Sequence, residues 1–274
     1  MKAANCFRKS LLMLLLSCVT TISFAQAPPV KEYQPEVGQQ GKDVIWVPTP
    51  QALVEKMLDV ARVTPKDYVI DLGSGDGRTV ITAAKRGAKA LGIEYNPEMV
   101  ELSKRNAIKE GVADKATFVQ ADLFASDLSQ ATVITMFLLA DLNMKLRPKI
   151  LDLNPGTRIV SNTFTMGAWS ADQIATADTD CASYCVAYFW IVPAKVGGTW
   201  QLTQGDLTLN QTFQMISGTL KFGGNVMDIT NGRLEGNEIS FTVGDTEYIG
   251  RVSGNVMEGD IRSGGSWKAT RAGN

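Results

Sequence analysis

The chain has 274 residues, 45% apolar and 20% charged, which suffices for one large folded domain or two smaller ones. Its formal net charge of −1 supplies no basic footprint, so no nucleic-acid partner is expected. It contains no histidine, which excludes imidazole bases, histidine-dependent triads and histidine metal sites; with so few cysteines, no metal centre is expected.

In chain order, Lys2, Arg8 and Lys9 precede a short apolar run at 11–16, and Ser23-Phe24-Ala25 places small residues at the −3 and −1 positions. This is the pattern of a signal peptide over 1–25, and it places the mature protein in the periplasm or outside the cell. The alternative takes Leu15-Leu16-Ser17-Cys18 as a lipoprotein box with Cys18 lipidated. The run is shorter than the roughly 20 residues of a spanning helix, so no transmembrane span is expected after signal removal. Residues 26–43, rich in Pro, Gln and Gly, read as a linker. Val44-Ile45-Trp46-Val47-Pro48-Thr49-Pro50 reads as an extended lead-in, with Thr49 capping a helix that starts at Pro50. Leu53, Val54, Met57, Leu58 and Ala61 give that helix one apolar face.

An alternation of strands and helices follows. Strands are expected at 68–72, 90–94, 116–119, 131–137, 158–161 and within 184–192, with helices ending near Gly87 and running from Asn96-Pro97 to Gly111. This is an α/β, doubly wound, Rossmann-like arrangement over 44–195, with a largely parallel sheet covered on both faces. Beyond Pro193 the helical period disappears. Residues 196–274 carry short alternating strands, and Gly232-Arg233-Leu234-Glu235-Gly236-Asn237 is echoed at Gly250-Arg251-Val252-Ser253-Gly254-Asn255. Each Gly-Asn pair suits a hairpin turn, so a small all-β domain is expected, a barrel or a sandwich. Of the cysteines left after signal removal, Cys181 and Cys185 are close enough in sequence to form a disulfide if exported; two reduced thiols is the alternative.

The stretch with the most chemistry is Asp71-Leu72-Gly73-Ser74-Gly75-Asp76-Gly77, a strand end, a glycine turn and the start of a helix. A dinucleotide fingerprint would place its third glycine where Arg78 stands, and no Gly-Lys-Ser/Thr follows for a phosphate loop. Three acids, Asp71, Glu94 and Asp122, fall at the carboxyl ends of successive strands, where open α/β sheets bind ligands. Glu94 stands about 20 residues past the glycines, the distance at which a second-strand acid reaches a ribose. Asp122 is placed to accept from an adenine amino group.

Residues 45–192 resemble the class I S-adenosylmethionine-dependent methyltransferases, through the turn at 71–77, Glu94 and Asp122. The resemblance implies S-adenosyl-L-methionine as cofactor, held by Asp71, Leu72, Gly73, Ser74, Gly75, Gly77, Glu94, Tyr95, Asp122 and Leu123. A narrower likeness joins Trp46-Val47-Pro48-Thr49-Pro50, Asp71 to Arg78, Phe137, Leu138, Asn143, Leu146 and Gly156-Thr157-Arg158-Ile159-Val160-Ser161 to the non-SET, seven-strand protein-lysine methyltransferases. It implies transfer of a methyl group to a protein lysine or other amine by in-line displacement. Phe137 and Asn143, with Phe164 and Trp169, are the candidates for the acceptor channel. Trp46 either covers the cofactor or packs the lead-in against the first helix. Met136-Phe137-Leu138-Leu139 replaces the Asn-Asn-Phe-type stretch of the histone enzyme, which leaves the acceptor open. A small-molecule O- or N-methyltransferase and a non-catalytic exported nucleoside-binding protein are the competing expectations. The β domain is a candidate for holding a further partner.

Overall fold

The structure is a computed structural model and describes residues 32–203 and 205–273. The expected signal peptide, the alternative lipidation site at Cys18 and the first part of the linker lie outside the described residues.

The first helix, α1 (Gln51–Val60), begins one residue later than expected, with Pro50 at the capping position and no side-chain cap. Thr49 is used elsewhere: its hydroxyl accepts from Asn162 Nδ2 at 3.3 Å and its carbonyl accepts from Arg78 Nη1 at 2.9 Å. Alternation then gives β1 (Tyr68–Leu72), α2 (Arg78–Lys85), β2 (Lys89–Glu94), α3 (Pro97–Lys109), β3 (Ala116–Gln120) and β4 (Val133–Met136). It continues with α4 (Ala140–Leu151), β5 (Arg158–Asn162), β6 (Gln173–Thr176) and β7 (Val186–Ile191). The start of α3 follows from local chemistry: Asn96 accepts from the Glu98 and Met99 amides, and Pro97, which has no amide to satisfy, opens the helix.

These seven strands form one sheet in the order β3-β2-β1-β4-β5-β7-β6. Six run parallel, while β7 is antiparallel to both neighbours, so the sheet is mixed at that edge. Strand order reverses between β1 and β4, and the carboxyl ends there open outward. The two faces are covered unequally. Leu53, Met57, Val80, Ala84, Val100 and Ala107 of α1, α2 and α3 pack on Val69, Val133 and Val160. On the other face Ile70, Leu72, Ile134, Met136 and Ile159 meet Leu146 and Ile150 of α4, together with Leu128, Met166 and Trp169 from connecting segments.

The C-terminal part is a closed eight-stranded antiparallel barrel. Its strands are β8 (Gly198–Leu202), β9 (Gly205–Thr212), β10 (Met215–Phe222), β11 (Asn225–Glu235), β12 (Glu238–Val243), β13 (Thr246–Ser253), β14 (Val256–Ile261) and β15 (Ser266–Arg271). Each strand pairs with the next, and β15 returns to β8. Trp200, Phe241, Tyr248, Met257 and Trp267 fill the interior, so it is a packed core. The repeated Gly-Asn pairs are the two-residue loops between β11 and β12 and between β13 and β14, with Gly236 at φ 60° and Gly254 at φ 57°.

The barrel is tied to the sheet by the β9–β10 turn. The Phe213 ring stacks on Trp169, centroids 6.0 Å apart and planes 13° from parallel. Gln214 Nε2 donates to the Ser170 carbonyl at 2.8 Å and to Asp172 Oδ1 at 3.2 Å, and Arg233 pairs with Asp172 at 2.5 Å. These contacts precede β6 and sit at the amino ends of β5 and β6, away from the open carboxyl ends.

Candidate functional site

At the carboxyl ends of the strands lies a cleft of about 230 Å³. One side is acidic. Asp71, at the end of β1, is 6% exposed, and its Oδ1 accepts from Thr135 Oγ1 at 2.6 Å. Burial pushes this carboxyl up to about 7; the Thr135 and Thr79 hydroxyls oppose the shift, while the charges of Glu94 and Asp76 add to it. Among the described residues, no cation pairs with it.

Glu94, at the end of β2, is fixed by two backbone amides, Gly75 N to Oε2 at 3.0 Å and Asn96 N to Oε1 at 2.9 Å. Each oxygen keeps a lone pair for a ligand hydroxyl. Asp122 accepts from the Phe124 amide at 2.9 Å and from Lys42 Nζ at 2.7 Å. The lysine hydrogen bond, then the amide, hold its pKa below the ordinary carboxylate value. The buried Ser74 Oγ has no protein partner.

The glycine turn is held from behind by α3. Ser103 Oγ donates to the Gly75 carbonyl at 2.8 Å, and Asn106 Nδ2 donates to the Asp76 carbonyl at 2.9 Å. From the side, Arg78 pairs with Asp76 at 2.5 Å and reaches the Thr49 carbonyl, so one side chain joins the turn to the lead-in. Gly75 (φ 54°) lies beneath Trp46, where an added Cβ would stand 2.6 Å from the indole nitrogen. A Cβ at Gly77 (φ 83°) would stand under 3 Å from the Phe118 ring and from Ser103. It is therefore a packing glycine behind the turn, and it does not line the cleft.

The expected end of the linker forms a wall of this site. Gly38 N donates to the Trp46 carbonyl and Gln40 bridges Ile45, which folds residues 38–46 back on themselves. Lys42 then reaches Asp122, with its ammonium 4.7 Å from the Tyr95 ring centre. Sequence reading missed Lys42 and left Trp46 undecided. Gly38, at φ 89°, and Gly41 were the available turn signal.

The opposite side of the cleft is apolar. Phe137 follows β4 and Phe164 follows β5; their centroids are 6.1 Å apart. Tyr184, from the loop before β7, sits 5.1 Å from Phe137 and was not among the expected site residues. Asp71, Gly73, Ser74, Gly75, Glu94, Tyr95, Asp122, Leu123, Phe137 and Phe164 thus all border one cleft.

Leu72, Asn143 and Trp169 do not. Leu72 is core beneath the sheet. Asn143 is fully buried, its Nδ2 donating to Ser161 Oγ and the Phe164 and Thr165 carbonyls, so it shapes the backbone beside Phe164 from behind. Trp169 is fully buried between Trp190 and Phe213, which corrects its placement in the channel: its apolar surface serves the sheet core and the barrel contact.

Comparison with known proteins agrees with this geometry. The ANTKMT methyltransferase domain family matches residues 71–173, and a DNA methylase family matches 29–105. A protein-lysine N-methyltransferase of Saccharolobus islandicus (strain REY15A) is 41% identical over 152 residues, which are 54% of this chain and 94% of that protein. The adenine nucleotide translocase lysine N-methyltransferase of Mus musculus is 32% identical over 129 residues, 46% of this chain and 56% of its own length. Among solved structures, an RNA methyltransferase from Salinibacter ruber in complex with S-adenosyl-L-homocysteine is 44% identical with a TM-score of 0.51. That match covers 55% of this chain and 96% of the solved one. The chain belongs to the class I S-adenosylmethionine-dependent methyltransferases, in the group that resembles the protein-lysine N-methyltransferases.

Proposed function

We propose that this enzyme methylates the amine of a protein lysine, with a small amine as the alternative acceptor. A cleft with a buried, cation-seeking carboxylate on one side and an aromatic wall on the other carries the reading.

The residues present fit the cofactor. Asp71 is a buried carboxylate awaiting a cation, and S-adenosylmethionine bears an ammonium and a sulfonium. Glu94 is held with acceptor capacity free for the ribose hydroxyls, and Asp122 offers an acceptor to the adenine amino group. Gly75, with Trp46 directly above it, leaves a slot that a side chain would fill. When bound, the cofactor supplies an electrophilic methyl group.

The chain's own residues then have three tasks. The acids and the glycine turn fix the donor, so that reaction becomes a matter of position and orientation. Phe137 and Phe164 exclude water from the acceptor side. An amine drawn out of water beside them loses its proton more readily, because burial disfavours the charged form. No imidazole is required for that step.

The names of relatives support a protein lysine as the acceptor, and the N-terminal signal expected from the sequence supports an exported enzyme. A disulfide between Cys181 and Cys185 accords with an oxidising compartment. None of the barrel's described residues lines the cleft, so a partner-holding role fits it better than a catalytic one.

The test is incubation of the full chain with methyl-labelled S-adenosylmethionine and a periplasmic extract. Methyl-lysine in a discrete protein supports the reading. Label confined to low-mass compounds selects the small amine, label in RNA selects a nucleic-acid acceptor, and no label anywhere sinks all three.

A further inference from the structure

Tyr184 enters the cleft through an unusual piece of backbone. It stands at φ 57°, a left-handed conformation that bulky side chains rarely adopt, and is 41% exposed at the cleft mouth. The residues on either side of it are tied down: Cys181 and Cys185 form a disulfide, with Cα atoms 5.8 Å apart, and Val186 begins β7. On the same wall a second strained residue does the same for Phe164. Thr163 is β-branched yet stands at φ 60°, anchored by its amide to the Val186 carbonyl at 2.7 Å. Phe137 lies between the two, touching both rings. Left-handed non-glycine residues persist where surrounding contacts over-determine them, and they gather at ligand sites. Here both converge on one aromatic surface and share Val186 as an anchor.

We propose that Tyr184 is the outer specificity residue for the acceptor, and that the Cys181–Cys185 disulfide positions it. This rests on the amine-methyltransferase reading above. Phe164, Phe137 and Tyr184 make one continuous wall from the depth of the cleft to its mouth. An unbranched alkyl amine can lie along such a wall, its methylenes against the rings and its amine directed inward. Aromatic faces also attract an ammonium, so the wall favours lysine-type acceptors over hydroxyl or carboxylate ones. Opening the disulfide frees the loop to leave its left-handed conformation, and the outer third of the wall moves away. Cofactor contacts lie on the acidic side and do not depend on this loop.

The test uses the full chain saturated with S-adenosylhomocysteine and n-butylamine as the probe, a lysine side chain without its peptide. With ring-labelled tyrosine, the Tyr184 resonance is assigned by its loss in Tyr184→Phe. Butylamine should shift that resonance. Its affinity should fall about tenfold in Tyr184→Ala, remain near wild type in Tyr184→Phe, and weaken in Cys181→Ser/Cys185→Ser and in phosphine-reduced wild type. S-adenosylhomocysteine affinity, measured by calorimetry, should stay constant throughout. Normal S-adenosylhomocysteine binding with a Tyr184 resonance that butylamine leaves unmoved, or equal butylamine affinity in the oxidised and reduced protein, overturns this proposal alone. Failure of wild type to bind S-adenosylhomocysteine overturns the underlying functional reading with it.

Discussion

The Gly75 amide and the Glu94 carboxylate, 19 residues apart in sequence, are joined by a 3.0 Å hydrogen bond across the mouth of the turn. The bond ties the end of β2 to the glycine loop after β1, so the acid is held ready before any ligand arrives. Its removal costs both the ligand's hydrogen bonds and the fixed shape of the loop. Glu94→Ala should weaken S-adenosylmethionine binding by about 1.5–3 kcal/mol, the range for losing charge-assisted hydrogen bonds. Glu94→Gln should fall between, because an amide has one acceptor oxygen for the roles now shared by two. Calorimetry on the folded variants checks the order.

Asp71 sets a pH dependence whose sign is opposite to that of most carboxylates. Its folded pKa is raised, by burial above all, from an ordinary 3.8 to about 7. The ligand-free protein therefore binds this proton more tightly than the unfolded chain does. The stability it contributes is complete below the unfolded value and is lost as pH rises through about 7. A cationic ligand reverses the preference by favouring the ionised form. Cofactor affinity should then rise with pH up to about 7, by at most about tenfold per unit, and level off above. Asp71→Asn should flatten that profile and weaken binding, while stabilising the ligand-free protein at pH 8 by about 1–3 kcal/mol. Gains in melting temperature and losses in affinity from one substitution separate a ligand role from a structural one.

Gly75 has no room for a side chain beneath Trp46 and stands at φ 54°. Gly75→Ala should displace the indole and strain the turn, shifting tryptophan fluorescence and weakening cofactor binding by about 2 kcal/mol or more. Adding Trp46→Ala relieves the collision and leaves the backbone strain, so the double variant should recover affinity only in part.

At the barrel contact, Gln214 is 3% exposed and donates to both the Ser170 carbonyl and Asp172. Gln214→Ala removes those donors from a buried place and should cost about 1–3 kcal/mol in thermal unfolding. Since none of the barrel's described residues lines the cleft, cofactor affinity should not change.

Much of this architecture is legible in the residues because local and global signals coincide. Asp71 and Glu94 stand at the ends of their strands and Asp122 two residues beyond β3, so each acid is announced by the strand before it, and the glycines after Asp71 permit one tight turn. The alternation in 196–274, with its repeated Gly-Asn pairs, announced the hairpins, although closure into a barrel depends on β15 meeting β8, a pairing with no local signature.

Two elements left weak traces. β6 spans four residues, three of them exposed, too short and too wet to alternate. In α4 the buried face of Asn143, Leu146 and Ile150 includes a polar residue, and Pro148 on the exposed side lacks an amide and reads as a helix end. Trp169 was misplaced because an aromatic shortly after a strand looks alike whether it faces a ligand or a core. Its packing between Trp190 of β7 and Phe213 from the barrel decides that. Lys42 was missed because a lysine in a Gln- and Gly-rich stretch carries no mark of its distant partner Asp122.

The central claim is that the acid-lined cleft holds S-adenosylmethionine, and titration calorimetry of the full chain tests it most directly. Wild type should bind S-adenosylmethionine with one site per chain, more tightly at pH 7 than at pH 6, and Glu94→Ala should bind it at least tenfold more weakly. No heat of binding in correctly folded wild type, or equal affinity in wild type and Glu94→Ala, would contradict the account.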